Sequence, residues 1–315
     1  MRIPLMVLIV SYNTRDLLAE CLDSALSSPV PIEITVVDNN SSDGSAEMVR
    51  KNFPAVRVVA RQDNAGFAGG VNDGLRRRAA GQDVLLLNPD ATLSAGCLEQ
   101  LAATLDATPE VGIVAPLVVH PHGRLRVISA GNQPTTWRLF TQFTGLSRLS
   151  RRAKVLEGMN LLHGLHDDAL REVEWVSGAC MLVRGAVFDE LGPLSRRWFM
   201  YAEDLEFCGR AGLAGWRIVH DPAARARHHL GASSDQDGAV STMWIESTED
   251  YYRQRFQPSL LQWWLWHAIL AGGMASRAAF YGVRSWTDAE RAPLWRGTAR
   301  KFSAYAGAAA RGVAH

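Results

Sequence analysis

The alternation of short apolar runs with helical periodicity limits this chain more than any other feature of its sequence. Val7-Leu8-Ile9-Val10-Ser11-Tyr12 is a continuous run, the pattern of a central strand in a parallel sheet. Leu17, Leu18, Cys21, Leu22, Ala25 and Leu26 then recur at helical spacing. Ile32 to Val37 reads as a second strand, and a short helix to Lys51 follows the turn and cap residues Ser41-Ser42-Asp43-Gly44-Ser45. Val56 to Ala60 reads as a third strand. The glycine-rich segment from Asn64 to Gly74 leads into a helix through Arg78. Val84 to Leu87 makes a fourth strand, and Leu98, Leu101, Ala102 and Leu105 mark the next helix. This βαβα order dictates a mainly parallel sheet with helices on its faces.

In such a sheet ligands bind at the carboxyl ends of the strands, and three polar loops collect there: Ser11–Asn13, Asp38–Asn40 and Asn88–Asp90. Pro89 ends the Leu85-Leu86-Leu87 strand because proline has no amide to donate into the ladder. Asp90 is left just beyond it. A carboxylate there suits a metal or a metal-bound diphosphate; it equally suits the cap of the next helix, shared with Thr92 or Ser94. Glycines at 64–74 let the backbone come close to a ligand. Neither the G-x-G-x-x-G fingerprint after the first strand nor a P-loop is present.

Beyond a strand at Ile113 to Leu117, residues 120–173 lack clear periodicity and read as an irregular insertion or acceptor region. Arg148, Arg151, Arg152 and Lys154 there make either a solvated face or a contact to an anionic acceptor. Trp175 to Val183 returns to a strand, with Gly178 at a close backbone approach. In Trp198-Phe199-Met200-Tyr201-Ala202-Glu203-Asp204-Leu205-Glu206, acids sit among large apolar side chains. They either favour a helix start or include a carboxylate of raised basicity able to take a proton. Arg210 can pair with Glu206. A strand at Arg217 to His220 and a turn at Asp221-Pro222 precede His228 and His229, either of which could be a ligand or an idle surface side chain.

The net charge of +1 gives no general attraction to nucleic acid, and none is expected as a partner. The charge is uneven, however: nine Arg or Lys residues and five Trp lie between Tyr251 and His315, against the two acids Asp288 and Glu290. A basic, Trp-rich helical tail at 257–315 suggests an anionic membrane surface, contacted through 258–284. The apolar run at 260–271 falls short of the roughly 20 residues a spanning helix needs, so a helix lying in the interface is expected, or one packed on the protein. Cys21, Cys97, Cys180 and Cys208 show no metal-ligand spacing, and there is no secretory signal. A reduced, cytoplasmic protein at the inner face of the membrane is the expectation.

Taken in order, V-S-Y-N, V-V-D-N-N-S-S-D-G-S, N-x-G-F-A-x-G-x-N-x-G, L-L-N-P-D, W-V-S-G-A, Y-A-E-D-L-E-F-C-x-R and H-x-x-G-x-S resemble the family 2 inverting glycosyltransferases, and within them the bacterial rhamnosyltransferase branch. The resemblance covers about residues 3–256 and implies the GT-A fold: a Rossmann-like, nucleotide-binding α/β domain at 1–256 with a mixed, mainly parallel sheet, followed by a helical appendage. It implies that Ser11, Tyr12, Asn13 and Asp38 hold the nucleoside, and that Asn64, Gly66, Asn72 and Asn88 frame the nucleotide pocket. Gly178 would line the donor-sugar side. Asp90 and His228 would bind a divalent cation, Mg²⁺ or Mn²⁺. Asp204 would be the catalytic base, with Glu203 beside it contacting sugar or acceptor. The implied donor is a dTDP- or UDP-sugar, foremost dTDP-rhamnose, and the implied acceptor a glycan or lipid-linked glycan of cell-surface polysaccharide synthesis. Asn88 stands where the commoner D-x-D motif has its first carboxylate and cannot supply that charge.

Two other classes fit parts of the pattern. A sugar-1-phosphate nucleotidyltransferase would need a glycine- and base-rich loop where Ser11-Tyr12-Asn13-Thr14-Arg15 stands. A non-catalytic sugar-nucleotide-binding protein on the same fold would have no use for Asp90, Asp204 and His228 together.

Overall fold

The computed structural model describes residues 3–120, 128–150, 153–161, 169–229 and 240–312. In chain order the elements are β1 (Leu5–Ser11), α1 (Arg15–Leu26), β2 (Ile32–Asp38), α2 (Ser45–Asn52), β3 (Arg57–Ala60), α3 (Gly66–Leu75), β4 (Val84–Leu87) and β5 (Ala91–Leu93). Then come α4 (Cys97–Ala107), β6 (Val111–Val119), β7 (Ala130–Gly131), α5 (Thr136–Thr144), β8 (Arg171–Val173), β9 (Trp175–Val176) and β10 (Cys180–Val183). The chain ends with α6 (Gly185–Leu191), α7 (Glu203–Leu213), β11 (Arg217–His228), α8 (Met243–Phe256), α9 (Leu260–Thr287) and α10 (Ala292–Arg311). They form two compact units, one of Met1–Gly131 with His163–Gln236, the other of Asn132–Leu162 with Asp237–His315.

In the first unit nine of the described strands form one sheet in the order β3-β2-β1-β4-β10-β6-β11-β5, with β8 on β11. The uninterrupted apolar runs of β1 and β4 take interior positions, where both faces are covered, and the more polar β3 takes an edge. One face, with Val7, Ile9, Leu85 and Leu87, packs on Leu18 and Leu22 of α1, Val49 of α2, and Leu98 and Leu101 of α4. On the other face α3 lies so close that a Cβ at Gly70 would meet Val10 at 2.5 Å, and one at Gly74 would meet Leu8 at 2.2 Å. Those two glycines set the helix–sheet distance.

Strands β1, β2, β3 and β4 run parallel, while β10 enters antiparallel between β4 and β6. Two segments differ from the sequence expectation. The strand expected over Trp175 to Val183 is broken: β9 pairs with β7 in a separate ribbon, and β10 alone joins the main sheet. The break falls at Ser177–Ala179, where the Gly178 amide is used by the Asp204 carboxylate rather than by a ladder partner. The turn expected at Asp221-Pro222 is instead a bulge inside one long strand. Asp221 pairs with Pro116 and Arg225 with Leu117, so three residues bow out between them. A bulge accommodates Pro222, which cannot donate to the ladder.

In the second unit α9 packs on α5, α8 and α10. Its inward side carries Trp263, Trp266, His267, Leu270 and Met274, spaced by three or four residues as one helical face requires. The Trp266 ring stacks on Tyr252 at 4.9 Å, and its indole N–H donates to the Pro134 carbonyl. Ser259 and Gln262 close the start of α9 as a reciprocal capping box.

Leu86, fully buried in the middle of β4, tests how far the sheet centre governs stability. Leu86→Ala is expected to lower the unfolding free energy by about 3 kcal/mol in urea titration. A loss below about 1 kcal/mol would show that the strand centre relaxes around the gap.

Candidate active site

The first group of polar side chains comes from the ends of β1 and β2, which lie in register with Ser11 beside Asp38. The Ser11 hydroxyl is buried and shares a hydrogen bond with Thr14 at 3.0 Å, so its side chain is turned into the protein. Asn13, in the left-handed region at φ 52°, ties the two loops together. Its amide N–H donates to the Ser41 hydroxyl, and its side-chain oxygen accepts from the Ser42 amide at 2.8 Å. Tyr12 is half-buried between these anchored residues. One oxygen of Asp38 accepts from the Ser41 amide; its other oxygen and the side-chain oxygen of Asn39 are buried and have no protein partner among the described residues. Leaving such acceptors unmatched costs about 1–3 kcal/mol each, so both are open to N–H or O–H donors from outside the chain. The sequence reading passed over Asn39, although it sits in the quoted D-N-N stretch; its side-chain NH₂ also donates to the Gly66 carbonyl at 3.0 Å.

Gly66 is the second anchor. The Asn64 side chain accepts from the Gly66 amide at 3.0 Å, and Gly66 itself has φ +71°. A Cβ there would lie 2.1 Å from the Phe199 carbonyl oxygen, so no other residue fits. Asn72 is placed differently from a pocket-lining residue: its side-chain amide bonds both the N–H and the C=O of Leu194, at 3.0 and 2.8 Å. It pins the segment between α6 and α7 to α3.

The third group gathers at the end of β4. His228 pairs with Ala91 across β11 and β5, which brings its ring to the preceding residue. His228 Nε2 lies 3.0 Å from Asp90 Oδ1 and 3.3 Å from the Asn88 side-chain nitrogen, with both Asp90 and His228 buried. His229 follows on the alternate side of the strand and contributes its backbone amide to the Asp90 carbonyl. Gly231 and Ser233 of the expected H-x-x-G-x-S ending, like Arg151 and Arg152, lie outside the described residues.

The fourth group is joined to the third by a single peptide. The Asn88 amide donates to the Ala179 carbonyl at 2.9 Å, and the neighbouring Gly178 amide donates to Asp204 Oδ2 at 3.0 Å. A Cβ on Gly178 would lie 2.9 Å from the Phe67 ring, so the missing side chain leaves room for that ring beside Asp204. Burial pushes the Asp204 carboxyl above the ordinary range, while the Gly178 and Leu205 amides pull it part of the way back. Glu203 is buried more deeply. Burial, with the Asp204 charge next to it, raises its carboxyl to about 8. Its oxygen accepts from the Ala202 amide at 3.0 Å, so it holds local backbone. Glu206 is paired with Arg210 at 2.6 Å. The four cysteines are free and buried.

The mixed, mainly parallel sheet thus gathers polar strand ends, a close backbone approach at Gly66, a raised Asp204 carboxylate and an Asp90–His228 pair in one unit. Residues 6–163, half of the chain, match the family model for glycosyl transferase family 2, and the chain belongs to that family. It is 28% identical over 252 residues to N-acetylglucosaminyl-diphospho-decaprenol L-rhamnosyltransferase of Mycobacterium tuberculosis, a match spanning 74% of this chain and 78% of that protein. It is 27% identical over 210 residues to a low-salt glycan biosynthesis hexosyltransferase of Haloferax volcanii, covering 66% of this chain and 61% of that one. The mannosyltransferase from Pyrobaculum calidifontis, solved with GDP-mannose and Mn²⁺, shares the GT-A fold at a TM-score of 0.54 and 18% identity, over 100% of this chain and 88% of its own.

Glu203 gives the site a measurable pH signature. Its folded pKa of about 8 exceeds the ordinary carboxyl value, so the folded chain keeps a proton that the unfolded chain releases. Stability contributed by that proton is complete below the unfolded pKa and is lost as pH rises towards about 8. Glu203→Gln keeps the acceptor oxygen and removes the titration. It is expected to gain roughly 2–4 kcal/mol relative to the parent between pH 5 and pH 8.5 in denaturant unfolding. An equal stability difference at both pH values would place the raised carboxyl elsewhere.

Proposed function

We propose that this chain is an inverting rhamnosyltransferase that moves L-rhamnose from dTDP-rhamnose onto a polyprenyl-diphosphate-linked glycan in cell-surface polysaccharide synthesis. The observation that carries the chemistry is the Gly178–Asp204 bond one peptide away from the Asn88–Ala179 bond, which ties a base to the Asp90–His228 pair. The rhamnosyltransferase relative, named for a diphospho-decaprenol acceptor, supports the choice of sugar and acceptor. Other UDP-, dTDP- or GDP-sugars are the competing donors; the GDP-mannose neighbour shows the fold accepting one of them.

In this reading Asp38 and Asn39 receive donor hydrogens of the nucleoside, while Gly66, expected to frame the nucleotide, instead gives its open side to the Phe199 carbonyl. Asp204, fixed by two amides and made more basic by burial, takes the acceptor hydroxyl's proton as that oxygen attacks the anomeric carbon. The bond from that carbon to the diphosphate breaks, its electron pair leaves with the diphosphate, and one displacement inverts the centre.

The donor set suits a hard divalent cation, Mg²⁺ or Mn²⁺. Neighbouring ligands of an octahedral ion with bonds of about 2.1 Å lie about 3 Å apart, and Asp90 Oδ1 and His228 Nε2 are 3.0 Å apart. No cluster of three or more such side chains occurs among the described residues, so the diphosphate oxygens would supply further ligands. Such an ion supplies positive charge that stabilises the leaving diphosphate. Asp204→Asn is expected to keep donor affinity and lose transfer about a hundredfold or more, read as release of nucleoside diphosphate in the presence of acceptor. Excess chelator is expected to abolish the parent's turnover. Full activity in chelator, or normal transfer by Asp204→Asn alongside loss in Glu203→Gln, would overturn these assignments.

The same reading places the protein on the inner face of the cytoplasmic membrane. Leu261, Trp264, Leu265, Phe280, Val283 and Trp286 are all exposed along the outer side of α9, and Arg296, Arg300 and Lys301 are exposed on α10. Apolar side chains beside a basic helix favour an anionic interface. Among the described residues no helix is long and apolar enough to cross a membrane. Leu261→Glu with Trp264→Glu is expected to abolish sedimentation with phosphatidylglycerol vesicles while phosphatidylcholine vesicles bind neither form. Unchanged sedimentation would remove α9 from the contact.

A further inference from the structure

The segment between α6 and α7 is held unusually firmly for a connection that exposes large apolar rings. Leu194 is bonded through both its N–H and its C=O to Asn72. The Phe199 carbonyl accepts from the Phe67 amide at 3.2 Å and rests against Gly66. The Ala202 amide donates to the Glu203 carboxylate, which the Tyr201 main chain also bonds. Trp198 is buried, yet Phe199 is 47% exposed and Tyr201 37% exposed. Tyr201 has φ 75°, a left-handed conformation that is costly for an aromatic residue and persists only where its surroundings impose it. Two rings are thus presented outward by rigid backbone, five and three residues ahead of Asp204.

We propose that Phe199 and Tyr201 form the platform on which the acceptor sugar rests while Asp204 takes its proton. This rests on the function proposed above. The base must meet the acceptor hydroxyl, so the surface beside it is the acceptor's. A sugar ring offers C–H faces that match the electron-rich face of an aromatic ring. Exposed aromatics on a fixed scaffold give that contact at little ordering cost. The proposed nucleoside contacts, Asp38 and Asn39, lie on a different element, at the end of β2. Glu203 then acts as a positioning residue: its carboxylate holds the Tyr201–Ala202 backbone in the turn that points the ring outward.

The test uses the full chain and three variants. Tyr201→Gly removes the ring and suits the positive φ, Phe199→Ala removes the second ring, and Tyr201→Phe keeps the platform without the hydroxyl. Acceptor KM, donor KM, kcat and the thermal midpoint are measured with a short-chain prenyl-diphosphate-linked N-acetylglucosamine. Binding of the same compound is measured by calorimetry with nucleoside diphosphate present. In Tyr201→Gly and Phe199→Ala, acceptor KM and Kd are expected to rise about tenfold, the scale of one good aromatic contact. Donor KM should stay within twofold, Tyr201→Phe should recover most of the acceptor affinity that Tyr201→Gly loses, and Tyr201→Gly should melt no lower than the parent. Acceptor KM and Kd within twofold of the parent in both truncations would overturn the platform, and so would an equal rise in donor KM. Absence of donor turnover by the parent would count against the proposed function instead, and the calorimetric arm would still read the platform.

Discussion

The hydrogen bond from the Asn88 amide to the Ala179 carbonyl closes the antiparallel pairing of β4 with β10, and both halves of the site hang on it. In an all-parallel sheet every strand leaves the ligand edge by its carboxyl end. An antiparallel strand arrives at that edge by its amino end instead. Here that geometry delivers the Gly178 amide next to the end of β4, where it fixes Asp204. The loop after β4 contributes Asp90, the loop before β10 contributes the amide that fixes Asp204, and one ladder bond sets their spacing. Moving either strand would separate Asp204, the proposed base, from Asp90 and His228, the proposed cation ligands.

Much of this was legible in the residues. The apolar runs of β1, β2 and β4 and the polar residues at their ends announced a parallel sheet and its ligand edge. What stayed hidden depended on partners far away in the chain. Nothing local in Trp175 to Val183 says that Gly178 leaves the ladder, because the cause is a carboxylate on α7. Pro222 reads as a stop, and only the pairing of β11 with both β6 and β5 shows it within a bulge. Asn72 has the look of a ligand contact but bonds the Leu194 backbone, a role fixed by α3 and the segment before α7. Only the H-x-x-G spacing of the resemblance chose His228 over His229, and it is the His228 ring that lies 3.0 Å from Asp90.

The helical unit shows the same limit from the other side. α9 is apolar around most of its circumference, so no periodicity separates the side that packs from the side that faces out. Contacts from α5, α8 and α10 decide it, burying Trp266 while Trp264 stays exposed. A sequence apolar on both sides therefore carries two messages at once, one about folding and one about what the folded helix meets.

The tandem histidines at the end of β11 have an evolutionary consequence. Loss of one residue between Arg225 and Arg227 would draw the following positions back by one and set His229 opposite Ala91, where His228 now stands. Gain of one residue would put Arg227 there, a cation against the proposed cation site. The site is therefore buffered against shortening of this strand and defenceless against lengthening, an asymmetry written into two adjacent identical residues.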